Sequence, residues 1–234
     1  MPGDVTFVPG FMQRGEAWQP VAATLAQRYR VRCVDFATWT FEERVEELPA
    51  GGALVGYSMG GRIALHAALR RAGDWSALVL IGVSAGVDER DERRRADEKL
   101  AAWIEQHSIE EVVDRWERLP VFATQSDELR ARQRAGRLSH SPGELARLLR
   151  SAGQGATPPV WDRLHELRCP VLLVAGERDG HYAEAAQRMA GLIPDARVRI
   201  VPGAGHAPQL ERPELVAEIL DEHLGDGVVV DRET

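Results

Sequence analysis

Short uninterrupted apolar runs alternate along this chain with stretches in which apolar residues recur every three or four positions. The first kind predicts buried strands, the second amphipathic helices. Strands are expected at Val5–Val8, Val31–Val34, Ala53–Val55, Ala77–Val83, Val171–Ala175 and Val198–Val201. Helical spacing marks Pro20–Tyr29, Phe41–Leu48, Gly61–Leu69, Tyr182–Leu192 and Pro213–Leu224. Continuous apolar strands alternating with helices predict an α/β fold, a mostly parallel sheet of about six strands covered on both faces.

The alternation stops between Ser84 and Pro159. Four helical segments (Glu89–His107, Ile109–Arg118, Ser126–Leu138 and Ser141–Ser151) follow one another there with no strand between them. Such a block between two sheet segments predicts an inserted helical cap over the strand ends. The expected division is a core of residues 1–83 and 160–224, a cap of residues 84–159, and a flexible, patternless tail at 225–234.

The rest of the chain can be organised around one junction. Gly56-Tyr57-Ser58-Met59-Gly60 fits G-x-S-x-G, with an apolar strand before it and a helical pattern after it. A serine on so sharp a strand-to-helix bend has its hydroxyl pushed out at the sheet edge, and glycines relieve the crowding beside it. The new helix points amide groups at any anion forming there, so the N–H of Met59 and one near Phe11 are the expected oxyanion-hole donors. Pro9 has no N–H, but the donor needed lies two residues further on.

A serine hydroxyl needs an imidazole to take its proton, and the imidazole needs a carboxylate to fix its tautomer. Asp179, in Gly-Glu-Arg-Asp179, follows the fifth strand, and His206, in Gly-Ala-Gly-His206, follows the sixth. Both fall at the edge of the sheet that carries Ser58, where open α/β sheets place their sites. His181 is the rival base, and Glu177 and Asp162 are the rival carboxylates. His66, His107, His140, His165 and His223 lie on helices or in the cap. Arg62 is unusual, since a cation in a first helical turn opposes the helix dipole. It answers either to a carboxylate of the cap or to one on a substrate. Arg93 sits in the charge run Asp88–Lys99, and most such runs are solvated helix faces.

Composition narrows the partners. A hydrophobic share of 44% with 28% charged residues belongs to a water-soluble globular chain, and no apolar run is long enough to span a bilayer. The formal net charge of −7 argues against nucleic acid or an anionic membrane as partner. The chain enters its first strand at once, without a secretory signal pattern, so a cytoplasmic location is expected. Cys33 and Cys169 are expected as reduced, small core residues rather than a disulfide. No histidine or cysteine pair has metal-ligand spacing and no phosphate-cradling glycine motif occurs, so no cofactor is called for. Lys99 is the only lysine; the other basic residues are arginines, which grip carboxylates through two parallel bonds.

With these residues in view, the chain resembles the α/β-hydrolase family and, within it, the 2-succinyl-6-hydroxy-2,4-cyclohexadiene-1-carboxylate (SHCHC) synthases of menaquinone biosynthesis. Gly56-Tyr-Ser-Met-Gly-Gly-Arg62, Gly176-Glu-Arg-Asp179 and Gly203-Ala-Gly-His206 suit the wider family. Trp116-Glu-Arg-Leu-Pro-Val-Phe122 resembles the W-x-x-x-P-x-F of the synthases. The resemblance runs from the first strand to about Leu220. It implies pyruvate elimination, with Ser58, His206 and Asp179 acting as a proton-abstracting base and the oxyanion hole steadying an enolate. It also implies a small anionic substrate held by Tyr57, Arg62, Arg93, Trp116 and Arg137. Tyr57 and Trp116 also have a reading as ordinary core or cap packing, which for Trp116 is equally good. Two departures stand out: Pro9-Gly10 replaces the family's usual His-Gly, and the N-terminal hairpin common in the fold has no counterpart. Two other readings stay open: a serine carboxylesterase working through an acyl-enzyme on Ser58, and a ligand-binding relative without activity.

Overall fold

The computed structural model describes residues 3–226. Six strands form one parallel sheet: β1 (Asp4–Val8), β2 (Arg30–Cys33), β3 (Ala53–Tyr57), β4 (Ala77–Ile81), β5 (Val171–Gly176) and β6 (Ala196–Val201). Their spatial order is β2-β1-β3-β4-β5-β6. The chain therefore leaves β1 towards one edge and returns on its other side, so the order reverses between β1 and β3. Crevices at the carboxyl ends of strands flanking such a reversal are where open α/β sheets hold ligands.

Burial follows position in the sheet. Every residue of β3, β4 and β5 is buried, whereas β2 and β6 at the edges alternate and put Arg30, Arg32, Arg197 and Arg199 towards solvent. Successive side chains of a strand point to opposite faces, so two cores form. Leu54, Leu78, Leu80 and Leu173 pack on one side, and Val55, Val79, Ile81, Leu172 and Val174 on the other. The second face is covered by α1 (Gln19–Leu25) and α10 (Pro213–Asp226), which pack on each other. The first face takes α2 (Phe41–Glu47), α3 (Met59–Arg70) and α8 (Gly180–Ala190).

Between β4 and β5 run α4 (Arg90–Glu105), α5 (Ile109–Glu117), α6 (Asp127–Leu138) and α7 (Pro142–Ala152). Within this helical segment α4 packs on α7 and α5 on α6. Ser108 caps α5 in a reciprocal arrangement with Glu111, and the Ser126 hydroxyl accepts the Leu129 N–H at the start of α6. A further short helix, α9 (Pro208–Glu211), follows the last strand.

Three local expectations are revised. The first helix stops at Leu25, because residues 26–29 must turn sharply to feed β2, with both Arg28 and Tyr29 donating to the Leu25 carbonyl. Cys33 and Cys169 are free thiols but only partly buried, Cys33 because its strand lies at the sheet edge. The last helix continues through Gly225 and Asp226, two residues assigned above to the tail; residues 227–234 of that tail lie outside the described residues.

Candidate active site

Ser58 stands between β3 and α3 with φ 51° and ψ −114°, a backbone conformation that non-glycine residues rarely adopt. The strain persists because the surroundings fix it. The Ser58 N–H donates to Ile81 of β4, and its carbonyl accepts from Arg62 one turn along α3. The bend also brings α3 so close to the end of β1 that a Cβ on Gly60 would run into the carbonyls of Val8 and Pro9. Only glycine fits there.

The side chains expected to act as its base come from two other loops. The His206 Nδ1–H donates to Asp179 Oδ2 at 2.7 Å, and its Nε2 lies 3.2 Å from the Ser58 hydroxyl. An ionised carboxylate can only accept, so Asp179 holds the proton on Nδ1 and leaves the Nε2 lone pair facing Ser58. His206 is buried, 6% exposed, with the ring of Tyr182 at 4.6 Å and that of Tyr57 at 5.3 Å. Gly82, at φ 61°, leaves just enough room for the imidazole, since a Cβ there would stand 3.0 Å from its Cε1.

The rivals fall away on geometry. His181 is exposed and lies edge-on to the ring of Tyr182. Glu177 accepts the Gly203 N–H at 2.9 Å, which ties down the loop carrying His206. Asp162 is exposed in a 3-10 turn far along the chain. Glu211, which the sequence did not single out, brackets the histidine by accepting from the amides of Gly205 at 2.9 Å and Ala207 at 3.3 Å.

Ser58 and His206 open into a cavity of about 410 Å³, which Phe11 and Met59 also line. Met59 is the first residue of α3, so its N–H has no acceptor within its own helix. Gly10 donates to Gln13 Oε1 at 3.2 Å, and Met12 takes φ 63°, which together fold the loop after β1 against the cavity.

All five residues expected to meet a ligand line this cavity, in different states. Arg62 is 8% exposed and donates from Nη1 to the Thr157 hydroxyl at 2.6 Å. No carboxylate pairs with it among the described residues, and burial lowers its pKa to about 10. Arg137 is buried too, but Glu117 neutralises it at 2.8 Å and also pairs with Arg134. Arg93 stands exposed at the rim, its Nε 2.9 Å from the buried Asp97. Tyr57 is buried within the wall, and Trp116 contacts the rings of Phe11 and Phe122. Sequence reasoning missed Gln13, Tyr182, Gln154 and Thr157. Tyr182, three residues past Asp179 at the start of a helix, had a signal in its spacing; Gln154 and Thr157, on an irregular connector, had none.

Among the described residues, no cluster of three or more histidine, cysteine or acidic side chains is arranged to hold a metal, and no helix is long and apolar enough to cross a membrane.

A parallel α/β sheet with a serine on a strained strand-to-helix turn, facing a histidine that bonds an aspartate, defines a broad class of proteins. Residues 7–219 match the alpha/beta hydrolase family, and the chain belongs to that family. A protein of Bacillus subtilis (strain 168) named putative 2-succinyl-6-hydroxy-2,4-cyclohexadiene-1-carboxylate synthase is 39% identical over 177 residues, 73% of this chain and 65% of that protein. The synthase of the same name from Citrobacter koseri is 32% identical over 170 residues, 71% of this chain and 66% of the relative. The matched stretch thus spans slightly less than two thirds of the length of these curated relatives. Among solved structures, MenH from S. aureus superposes with a TM-score of 0.89 at 29% identity, covering 96% of this chain and 94% of that one. A thermophilic esterase from Thermogutta terrifontis shares the fold, with a TM-score of 0.80 at 24% identity over 97% of this chain and 91% of its own.

Proposed function

We propose that this protein is a carbon–oxygen lyase that eliminates pyruvate from 2-succinyl-5-enolpyruvyl-6-hydroxy-3-cyclohexene-1-carboxylate to give SHCHC, a step of menaquinone biosynthesis. The observation that carries the reading is a cavity in which the Ser58–His206–Asp179 row faces a buried Arg62 with no carboxylate partner among the described residues. A guanidinium taken out of water without a counter-ion is costly, and an anionic ligand offsets that cost. The names of the relatives from Bacillus subtilis and Citrobacter koseri support the same reaction.

Ser58, His206 and Asp179 are the catalytic residues in this reading. His206 Nε2 takes the Ser58 proton, and the serine oxygen removes the proton next to the succinyl ketone. Electron density moves onto the ketone oxygen as an enolate, which the Phe11 and Met59 amides stabilise. The enolate then collapses and the carbon–oxygen bond to the enolpyruvyl group breaks. The departing enolate takes up a proton and becomes pyruvate. Tyr57, Arg62, Arg93, Trp116 and Arg137 hold the substrate, the arginines answering its carboxylates. Residues 1–83 and 160–224 form the catalytic core, and residues 84–159 cap it. The partner is a small anionic molecule rather than nucleic acid or membrane, and the setting is the cytoplasm.

The deciding assay follows two products from one preparation. Pyruvate should appear rapidly from the succinylated substrate, while short p-nitrophenyl esters should turn over slowly and without a burst. Absence of pyruvate together with a p-nitrophenol burst and an acyl group on Ser58 would replace this reading with a carboxylesterase.

A further inference from the structure

One connector organises the polar end of the cavity. Residues 153–157, between α7 and the turn leading to β5, bond to side chains from three other elements. The Thr157 hydroxyl accepts from Arg62 of α3 at 2.6 Å. The Gly155 N–H donates at 3.1 Å to Asp97 of α4, whose other oxygen holds Arg93. The Gln154 amide donates to the hydroxyl of Tyr182, from α8, at 2.7 Å. Gln154 and Thr157 are three residues apart, so Tyr182 and Arg62 are gathered at one corner.

The direction of the Gln154 bond matters. A phenol oxygen that accepts from an amide keeps its own proton to donate elsewhere. Tyr182 lines the cavity with its ring 4.6 Å from that of His206, and it is near enough to Arg62 for that charge to act on its hydroxyl. Burial raises its pKa, and the neighbouring charge of Arg62 pulls the other way. The phenol stays protonated at neutral pH, a neutral donor beside a guanidinium.

We infer that Tyr182 is a specificity-determining residue whose hydroxyl donates a hydrogen bond to the carboxylate that Arg62 binds. The inference rests on the lyase reading for the identity of the natural substrate, but the recognition chemistry is testable without it. A carboxylate with one oxygen on the guanidinium and the other on the phenol is fixed in position and in rotation. An amide or ester at the same place carries no full charge for Arg62 and accepts more weakly from the phenol. Tyr182 thereby sharpens the preference for acids over their neutral analogues.

The probe is 4-oxo-4-phenylbutanoate, a succinyl side chain on a ring, compared with its uncharged primary amide by calorimetry. Tyr182→Phe should weaken the acid about tenfold and the amide by less than about threefold, because the neutral group accepts more weakly from the phenol. With the succinylated enolpyruvyl substrate the same variant should raise KM by a similar factor and leave kcat within about twofold. Gln154→Leu separates recognition from a mere tether between α7 and α8. If the tether were the function, both variants would weaken acid and amide by the same factor, which overturns the inference. An unchanged Kd for the acid in Tyr182→Phe overturns it as well. A wild-type protein that binds the acid in this Tyr182-dependent way yet releases no pyruvate would sink the lyase reading and leave the recognition role standing.

Discussion

The two walls of the cavity are built by different means. On the sheet side, Ser58, Asp179 and His206 hang from strand ends, and backbone contacts fix their spacing: the Ser58 amide on Ile81, Gly60 against the Pro9 carbonyl, Glu177 and Glu211 on the loop amides around His206. On the helical side, Arg93 and Arg137 are aimed by single carboxylates, Asp97 and Glu117. A backbone constraint resists most substitutions away from glycine, whereas a side-chain ion pair can be moved by one change. In the proposed function the reacting wall is therefore the one stiff in sequence space and the binding wall the adjustable one.

That contrast can be broken from either side. Ser58→Ala should have the largest effect, lowering pyruvate release by about 10⁴-fold or more with little change in substrate affinity. Retained turnover would mean that the sheet-side wall does no chemistry. Arg62→Ala should come next, at roughly 30- to 1000-fold in kcat/KM, because it removes a buried partner of the ligand's charge. Arg62→Lys should recover little of this, since an ammonium cannot reproduce a two-pronged contact.

Gly60→Ala tests the stiffness itself. Forcing a methyl group against the end of β1 should cost about 1–3 kcal/mol in urea unfolding, with activity falling in parallel. Glu117→Gln tests the adjustable wall. It leaves Arg134 paired with Asp114 but removes the counter-charge of the buried Arg137, so it should cost about 3 kcal/mol of stability, while raising KM about threefold without altering kcat. A fall in kcat as large as that of Gly60→Ala would erase the distinction.

Acid should weaken both halves over one pH window. Burial, helped by neighbouring arginines, holds the imidazoles of His66 on α3 and His140 just beyond α6 down to about 4. Both values lie below the roughly 6.5 of an unfolded chain, so the unfolded state takes up protons first as pH falls. Their contribution is intact above about pH 6.5 and is lost on the way down to about 4, at up to about 1.4 kcal/mol per pH unit for each. Urea midpoints at several pH values check this, and His66→Gln should flatten the profile relative to the parent.

The same contrast explains what was legible in the sequence. The inner strands β3, β4 and β5 and Ser58 could be read because buried parallel strands are continuous apolar runs and a strained turn demands glycines at fixed offsets. Asp179 and His206 followed from chain order. By contrast, Thr157 and Gln154 lie on a connector whose conformation depends on Asp97, 58 residues from Gly155, and no periodicity encodes such a contact. Glu211 was hidden for a related reason, since a glutamate in a short helix looks like surface until the loop beside it is seen to need two acceptors. Arg62 was conspicuous because it opposed the dipole of its own helix, a local conflict of the kind that function tends to leave behind.

Because β1 and β3 are neighbours, the loop of Phe11 and the turn of Ser58 leave adjacent strands, whose spacing is about 4.8 Å in any sheet. No exchange of helices above the sheet can lengthen that ruler. Descendants of this chain are free to acquire new ligands, but the two loops will still rise from strands set at that one spacing.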